Sequence, residues 1–227
     1  MNSSAAWRLY VILDPSAAGA RDLADLAAAA IRGGADVLQL RDKHAPTARL
    51  LEAARRLLAV TRPAGIPLLI NDRPDVARAV GADGVHLGQE DLSVQAAREL
   101  LGPGRLIGKS THSLEQALAA EQEGADYIGI GPIFPTPTKP EYGSVGLELI
   151  GPVSEQVRLS SLCIGGISQA NLPEVLAAGA QRIAVVRAVC AAPDPETAAR
   201  TLKAALRTGV IHPREPRCAH PARAAQA

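Results

Sequence analysis

Aromatic side chains are nearly missing from this chain: Phe, Tyr and Trp make up 2% of it, with a single Phe and a single Trp. A ligand with a flat ring therefore finds few stacking partners, and Phe134 is the first candidate. Cysteine is sparse as well. Cys163, Cys190 and Cys218 form no CxxC pair and no metal-binding spacing, which fits a reducing compartment rather than a disulfide framework or a thiolate zinc site. No segment reaches the ~20 uninterrupted apolar residues of a membrane helix, and residues 1–7 carry no apolar run of the signal-peptide kind. Excess charge is also missing. A net charge of +1 leaves no electrostatic footprint for nucleic acid or an anionic membrane. The expectation is a cytoplasmic protein with neither nucleic acid nor membrane as partner; a homo-oligomer stays open.

What is present is a regular alternation. With 47% hydrophobic and 21% charged residues over 227 positions, the chain suits one domain with a sizeable core. Short β-rich runs at 9–14, 37–42, 67–71, 84–87, 106–110, 127–131, 162–165 and 183–186 alternate with Ala/Leu/Arg-rich helical stretches. The helices are expected near 21–32, 47–61, 74–80, 93–100, 113–123, 146–157, 169–178 and 195–207. Ser93, Ser113 and Ser168 stand where a hydroxyl caps a helix start, and Pro46, Pro74 and Pro173 where a missing N–H costs little. Gly34-Ala35-Asp36, Gly81-Ala82-Asp83, Gly124-Ala125-Asp126 and Gly179-Ala180-Gln181 each precede an even-numbered strand. The glycine ends a helix in the left-handed region and the alanine permits a tight turn into the sheet. A two-strand, two-helix unit used four times predicts an α/β fold, a single (β/α)8 TIM barrel over residues 1–209. An open doubly wound sheet is the competing architecture, disfavoured because no Gly-rich dinucleotide fingerprint follows the first strand. Residues 210–227, with scattered Pro and no periodicity, read as a disordered tail.

In such a barrel the chemistry lies at the carboxyl ends of the strands. If the second strand runs on to Lys43, Gln39, Arg41 and Lys43 share one face and form an anion site for phosphate or diphosphate. Asn71-Asp72 ends the third strand and Gly88-Gln89-Glu90-Asp91 the fourth, so Asp72 and Asp91 stand on adjacent strands. Two carboxylates with phosphate oxygens and water suit Mg2+ better than Zn2+; the plainer reading makes each a helix cap. Gly165-Gly166, followed by Ser168 at a helix start, matches the barrel phosphate site, although paired glycines alone often mean a turn. The long loop from Ile133 to Ser144 offers Thr136, Thr138 and Lys139 to a second anionic group, unless it is simply a stiff surface loop. His86 reads as a hydrogen-bonded core residue, and His112 faces the mouth without an evident carboxylate partner. Neither Cys163 nor Cys190 has a visible activating environment, and no nucleophile–base pair is apparent.

Six motifs in register carry a resemblance: QLRDK (39–43), ND (71–72), GQED (88–91), KSTHS (109–113), GPIFPTPTK (131–139) and IGGI (164–167). Together they resemble the thiamine-phosphate synthase family over residues 8 to 207. The resemblance implies a transferase that joins a hydroxymethylpyrimidine diphosphate to a thiazole phosphate and releases diphosphate by a dissociative step. It implies that Gln39, Arg41, Lys43 and Asn71 hold the pyrimidine diphosphate and that Asp72 and Asp91 bind Mg2+. Ser110 and Lys139 would touch the diphosphate or the reacting pyrimidine. Thr136 and Thr138 would hold the thiazole phosphate, with Gly166 and the backbone near Val186 and Arg187. Two departures stand out: Pro137 removes a backbone N–H between the threonines, and Arg187 replaces a small hydroxyl residue. Rivals are the thiazole tautomerase relatives, which lack the acid pair and carry a His where Pro132 stands, and a non-catalytic phosphate-binding regulatory barrel. An isomerase or aldolase would need a strand-end base or Schiff-base lysine, for which Lys109 is the candidate.

Overall fold

The eight apolar runs become eight parallel strands: β1 Leu9–Leu13, β2 Val37–Leu40, β3 Leu68–Asn71, β4 Gly84–Leu87, β5 Leu106–Thr111, β6 Tyr127–Ile130, β7 Ser160–Ile164 and β8 Ile183–Val185. They pair in sequence order, and β1 returns to β8 through Leu9↔Ile183 and Tyr10↔Ala184, so the sheet is a closed barrel. That closure excludes the open sheet. The computed structural model describes residues 4–136 and 143–208. Thr138 and Lys139, and the tail expected at 210–227, lie outside the described residues.

Helices alternate with the strands: α1 Pro15–Ala18, α2 Leu23–Arg32, α3 Thr47–Thr61, α4 Pro74–Val80, α5 Val94–Leu101, α6 Leu114–Gln122, α7 Ile150–Gln156, α8 Leu172–Ala177, α9 Arg187–Cys190 and α10 Pro195–Thr208. The expected caps on α5 and α6 hold: Ser93 accepts from the Ala96 N–H and Ser113 from the Gln116 N–H. Ser168 is a correction. Its helix begins only at Leu172, and the Ser168 N–H is taken by Asn171 Oδ1 at 2.8 Å. The short α1 and α9, absent from the periodic pattern, follow β1 and β8 directly.

Side chains alternate across each strand, and the two faces give two cores. Outward residues such as Val11, Leu38, Ile70, Val85, Ile107 and Ile128 pack against the helices. Inward residues Trp7, Tyr10, Ile12, Val37, Leu69, Tyr127, Leu162 and Ala184 fill the barrel. Three of the few aromatics thus meet inside it, Trp7 lying edge-on to Tyr10 at 6.1 Å and to Tyr127 at 5.3 Å between ring centroids. Ser4 Oγ donates to the Asp126 carbonyl, and Trp7 is 3% exposed, so the amino-terminal segment covers the barrel end opposite the strand carboxyl ends.

The Gly-Ala-Asp repeat has a use beyond its glycine, which takes φ of 95°, 67° and 83° at Gly34, Gly81 and Gly124. Each aspartate staples its strand to the preceding one. Asp36 accepts from the Arg8 and Leu9 N–H groups at 2.8 and 2.9 Å, Asp83 from Leu68 at 2.9 Å, and Asp126 from Ile107 at 2.7 Å.

Candidate active site

A cavity of about 350 Å3 opens at the carboxyl ends of the strands. One side carries Gln39, Arg41, Asn71 and Ser110; the other carries Thr136, Gly166, Val186 and Arg187. Eight residues assigned to the substrates from sequence therefore meet in one space, whereas Lys43, Asp72 and Asp91 are not among its lining residues. His86, His112, Ile12 and Ile164 line it too.

β2 ends at Leu40, but the Arg41 N–H still donates to the Leu13 carbonyl at 3.0 Å and Arg41 lines the cavity with Gln39. The parity reading therefore holds for Arg41 and is corrected for Lys43, which is not among the lining residues. The three residues do different things. Gln39 is 2% exposed and its Nε2 donates to Tyr10 Oη at 2.6 Å. Arg41 Nη1 pairs with Asp14 Oδ2 in a nearly buried ion pair. Lys43 Nζ stands 3.4 Å from Asp72 Oδ2 with its side chain 45% exposed. Asp14, at the end of β1, is fixed in turn by the Ser16 N–H and hydroxyl. Its place as the polar residue ending the first strand was the signal that sequence reading passed over.

Asp72 and Asp91 come together, and neither is a helix cap. α4 begins behind Arg73 without a side-chain cap and α5 is capped by Ser93. Asp72 has φ 61°, the positive-φ position among the described non-glycine residues, and its N–H donates to the His86 carbonyl at 2.8 Å. Asp91 Oδ2 accepts from the Gly88 N–H at 2.6 Å, where a Cβ on residue 88 would meet that oxygen at 2.8 Å. Burial pushes the Asp72 carboxyl above the ordinary carboxylate range, the facing Asp91 carboxylate adds to the rise, and Lys43 opposes it.

The loops after β6 and β7 pack on each other. Ile133 and Phe134 donate to the Ile164 and Gly165 carbonyls at 2.8 and 3.1 Å. Gly165 and Gly166 have φ of 100° and 63°, and added Cβ atoms would meet Pro132 at 2.4 Å and Phe134 at 2.7 Å. These glycines are required by that packing. α8 starts at Leu172 rather than directly behind Ser168, and Asn171 at its start donates from Nδ2 to the Gly166 carbonyl at 2.9 Å. Phe134 packs on the hydrophobic core, so aliphatic Ile12 and Ile164, rather than the expected aromatic ring, form the cavity wall.

His86 bonds Tyr127 and Ser110, and His112 Nδ1 bonds the Gly131 carbonyl, so both rings are held by hydrogen bonds. Lys109 is 6% exposed and its Nζ donates to the Gly88 carbonyl at 2.9 Å, a structural role rather than a Schiff-base one. Burial pushes the Cys163 thiol up to about 12 and the Cys190 thiol to about 11, so both are inert at neutral pH. Among the described residues no helix is long and apolar enough to cross a membrane.

Comparison with known proteins agrees with this arrangement. Residues 9–189 match the family model described as thiamine monophosphate synthase. The chain is 48% identical over 199 residues to thiamine-phosphate synthase of Roseiflexus sp. (strain RS-1), covering 87% of this chain and 84% of that one. It is 50% identical over 199 residues to the Chloroflexus aurantiacus thiamine-phosphate synthase, covering 87% and 92%. The solved thiamine phosphate pyrophosphorylase of Pyrococcus furiosus superposes with a TM-score of 0.81 at 39% identity, over 88% of this chain and 96% of that chain. Barrel, strand-end residues and relatives agree, and the chain belongs to the thiamine monophosphate synthase family.

Proposed function

We propose that this chain condenses a hydroxymethylpyrimidine diphosphate with a thiazole phosphate to give thiamine phosphate and diphosphate. The observation that carries the reading is the facing pair Asp72 and Asp91 beside Lys43, at the end of the barrel that holds Arg41 and Arg187. Two carboxylates that resist sharing negative charge fit a hard divalent cation. The donor set is oxygen, which suits Mg2+, and among the described residues no group of three or more His, Cys, Asp or Glu gathers as zinc would want. Asp72 and Asp91 would hold the ion, which when bound supplies positive charge to the leaving diphosphate.

The chain's own residues do the rest. Arg41, gripped by Asp14, presents its remaining N–H groups in a fixed orientation, and Lys43 adds a flexible cation. Ser110 offers a hydroxyl to the pyrimidine diphosphate, and Lys139 is assigned to the same group from the motif. The C–O bond to the diphosphate breaks with its electron pair leaving on oxygen. The thiazole nitrogen already owns the lone pair that forms the new C–N bond, so no protein base is required, in keeping with two histidines committed to hydrogen bonds. Thr136, Thr138, Gly166 and the Val186–Arg187 backbone are assigned to the thiazole phosphate. Keeping water from the electrophilic carbon falls to the loop after β6, anchored on Ile164 and Gly165. The cytoplasm, where both substrates are small soluble phosphates, is the assigned location, in keeping with the buried free thiols of Cys163 and Cys190.

The test mixes the protein with both substrates and follows diphosphate release. Product is expected only with Mg2+, and Asp91→Ala or Lys139→Ala should lower kcat by about 10²-fold or more, the scale of losing a group that stabilises developing charge. Turnover that persists in chelator rejects the metal assignment. Metal-free isomerisation of a carboxylated thiazole phosphate would move the chain to the tautomerase activity.

A further inference from the structure

Five polar side chains beneath and beside the cavity hydrogen-bond in series. Gln39 Nε2 donates to Tyr10 Oη at 2.6 Å, and the Tyr10 and Tyr127 hydroxyls are 3.2 Å apart. Tyr127 Oη is 3.0 Å from His86 Nδ1, and His86 Nε2 is 3.0 Å from Ser110 Oγ. The links come from β2, β1, β6, β4 and β5, so the series crosses the barrel interior. Gln39, His86 and Ser110 line the cavity, while Tyr10 and Tyr127 are 2% and 0% exposed behind them. Space has been made for it: a Cβ on Gly108 would meet Tyr127 Oη at 2.4 Å and His86 Nδ1 at 2.6 Å.

Counting protons gives the series a direction. Each phenol has one hydrogen to give, and burial keeps both phenols protonated. An amide NH2 only donates, so Tyr10 Oη accepts from Gln39. Its own hydrogen then goes to Tyr127 Oη, because the opposite direction would have Tyr10 accept twice and bury an unsatisfied O–H. Tyr127, having accepted, gives its hydrogen to His86 Nδ1. A ring nitrogen that accepts carries no proton, so neutral His86 is protonated on Nε2 and donates to Ser110 Oγ. Ser110, receiving a hydrogen bond from behind, turns its own hydrogen toward the cavity.

We propose that Tyr127, backed by Tyr10 and Gln39, is a positioning residue that holds His86 as its Nε2–H tautomer and so presents Ser110 as a hydrogen-bond donor to the substrate. The tautomer follows from the hydrogen bonds alone; only the identity of the acceptor, an atom of the pyrimidine diphosphate, rests on the synthase reading.

The experiment is ¹⁵N–¹H correlation of the imidazole nitrogens in the full-length, ¹⁵N-labelled protein at neutral pH, with His86 identified by its loss in His86→Gln. The expected result is His86 protonated at Nε2 with Nδ1 in the acceptor range. In Tyr127→Phe the donor to Nδ1 is gone, so an Nδ1-protonated population should grow in. kcat should then fall about tenfold, less than deleting a donor outright, with KM for the pyrimidine diphosphate within about twofold because ground-state binding is spared. Tyr10→Phe leaves Tyr127 as donor, so it should keep the wild-type tautomer and lose less activity. An Nδ1–H tautomer or an imidazolium in the wild type overturns the proposal, as do unchanged ring nitrogens in Tyr127→Phe. A shifted tautomer with unchanged kcat overturns the presentation of Ser110. Diphosphate release that fails in a wild type showing the Nε2–H tautomer would instead sink the synthase reading and leave the relay standing.

Discussion

Asp72 meets two demands that few residues meet together. Its backbone sits at φ 61°, where aspartate and asparagine are tolerated better than most, and its carboxyl faces Asp91 from a half-buried position. Because its folded pKa is raised, the proton is held more tightly folded than unfolded. Stability therefore falls as pH climbs from the ordinary carboxylate range through the raised value, and the full penalty persists above it. Asp72→Asn keeps the backbone and removes the charge. In metal-free protein this variant should melt at a higher temperature than wild type at pH 7, and part of that gain should vanish as pH drops into the carboxylate range. Thermal denaturation across pH reads this directly; a gain that does not vary with pH would mean that neither burial nor Asp91 raises the Asp72 carboxyl. The meeting of Asp72 with Asp91 was legible in sequence from the strand order. The grip of Asp14 on Arg41 was not, since it needs the actual path of the chain past Leu40.

At the level of elements, the Gly-Ala-Asp repeat was legible as a helix end leading into a strand, and the left-handed glycines bear that out. The role of its aspartate was hidden, because a bond to the preceding strand's first N–H groups depends on the register between paired strands. Asp83 is the cleanest place to measure such a staple, holding the Leu68 N–H at 2.9 Å. Asp83→Ala strands that donor and should cost about 1–3 kcal/mol, roughly 2–4 °C of Tm per kcal/mol for a chain of this size. Asp83→Asn, which keeps an acceptor, should cost clearly less in the same melting experiment. Equal losses would assign the effect to something other than the hydrogen bond. Helix starts were less legible where polar residues cluster. Ser168 and Asn171 both suit a cap, yet α8 starts at Leu172 without a side-chain cap, the Asn171 amide being turned back to the Ser168 N–H and the Gly166 carbonyl.

Over the whole molecule, barrel closure could be read because a fourfold repeat of strand and helix pairs satisfies every strand edge only when the last strand meets the first, as β8 meets β1. The buried polar series could not be read. Tyr10, Gln39, His86, Ser110 and Tyr127 are scattered over 118 positions of chain, from residue 10 to residue 127. Each looks ordinary within a strand of four to six residues. What joins them is the shared interior, which exists only once the sheet has curled. That interior is stoppered from below by Trp7 resting on Tyr10 and Tyr127. A vessel with one doorway imposes a queue: the guest lodged deepest must arrive first and depart last. Product-inhibition kinetics should accordingly show an ordered sequence of binding and release, and a random pattern would mean that neither substrate stands in the other's way at the mouth.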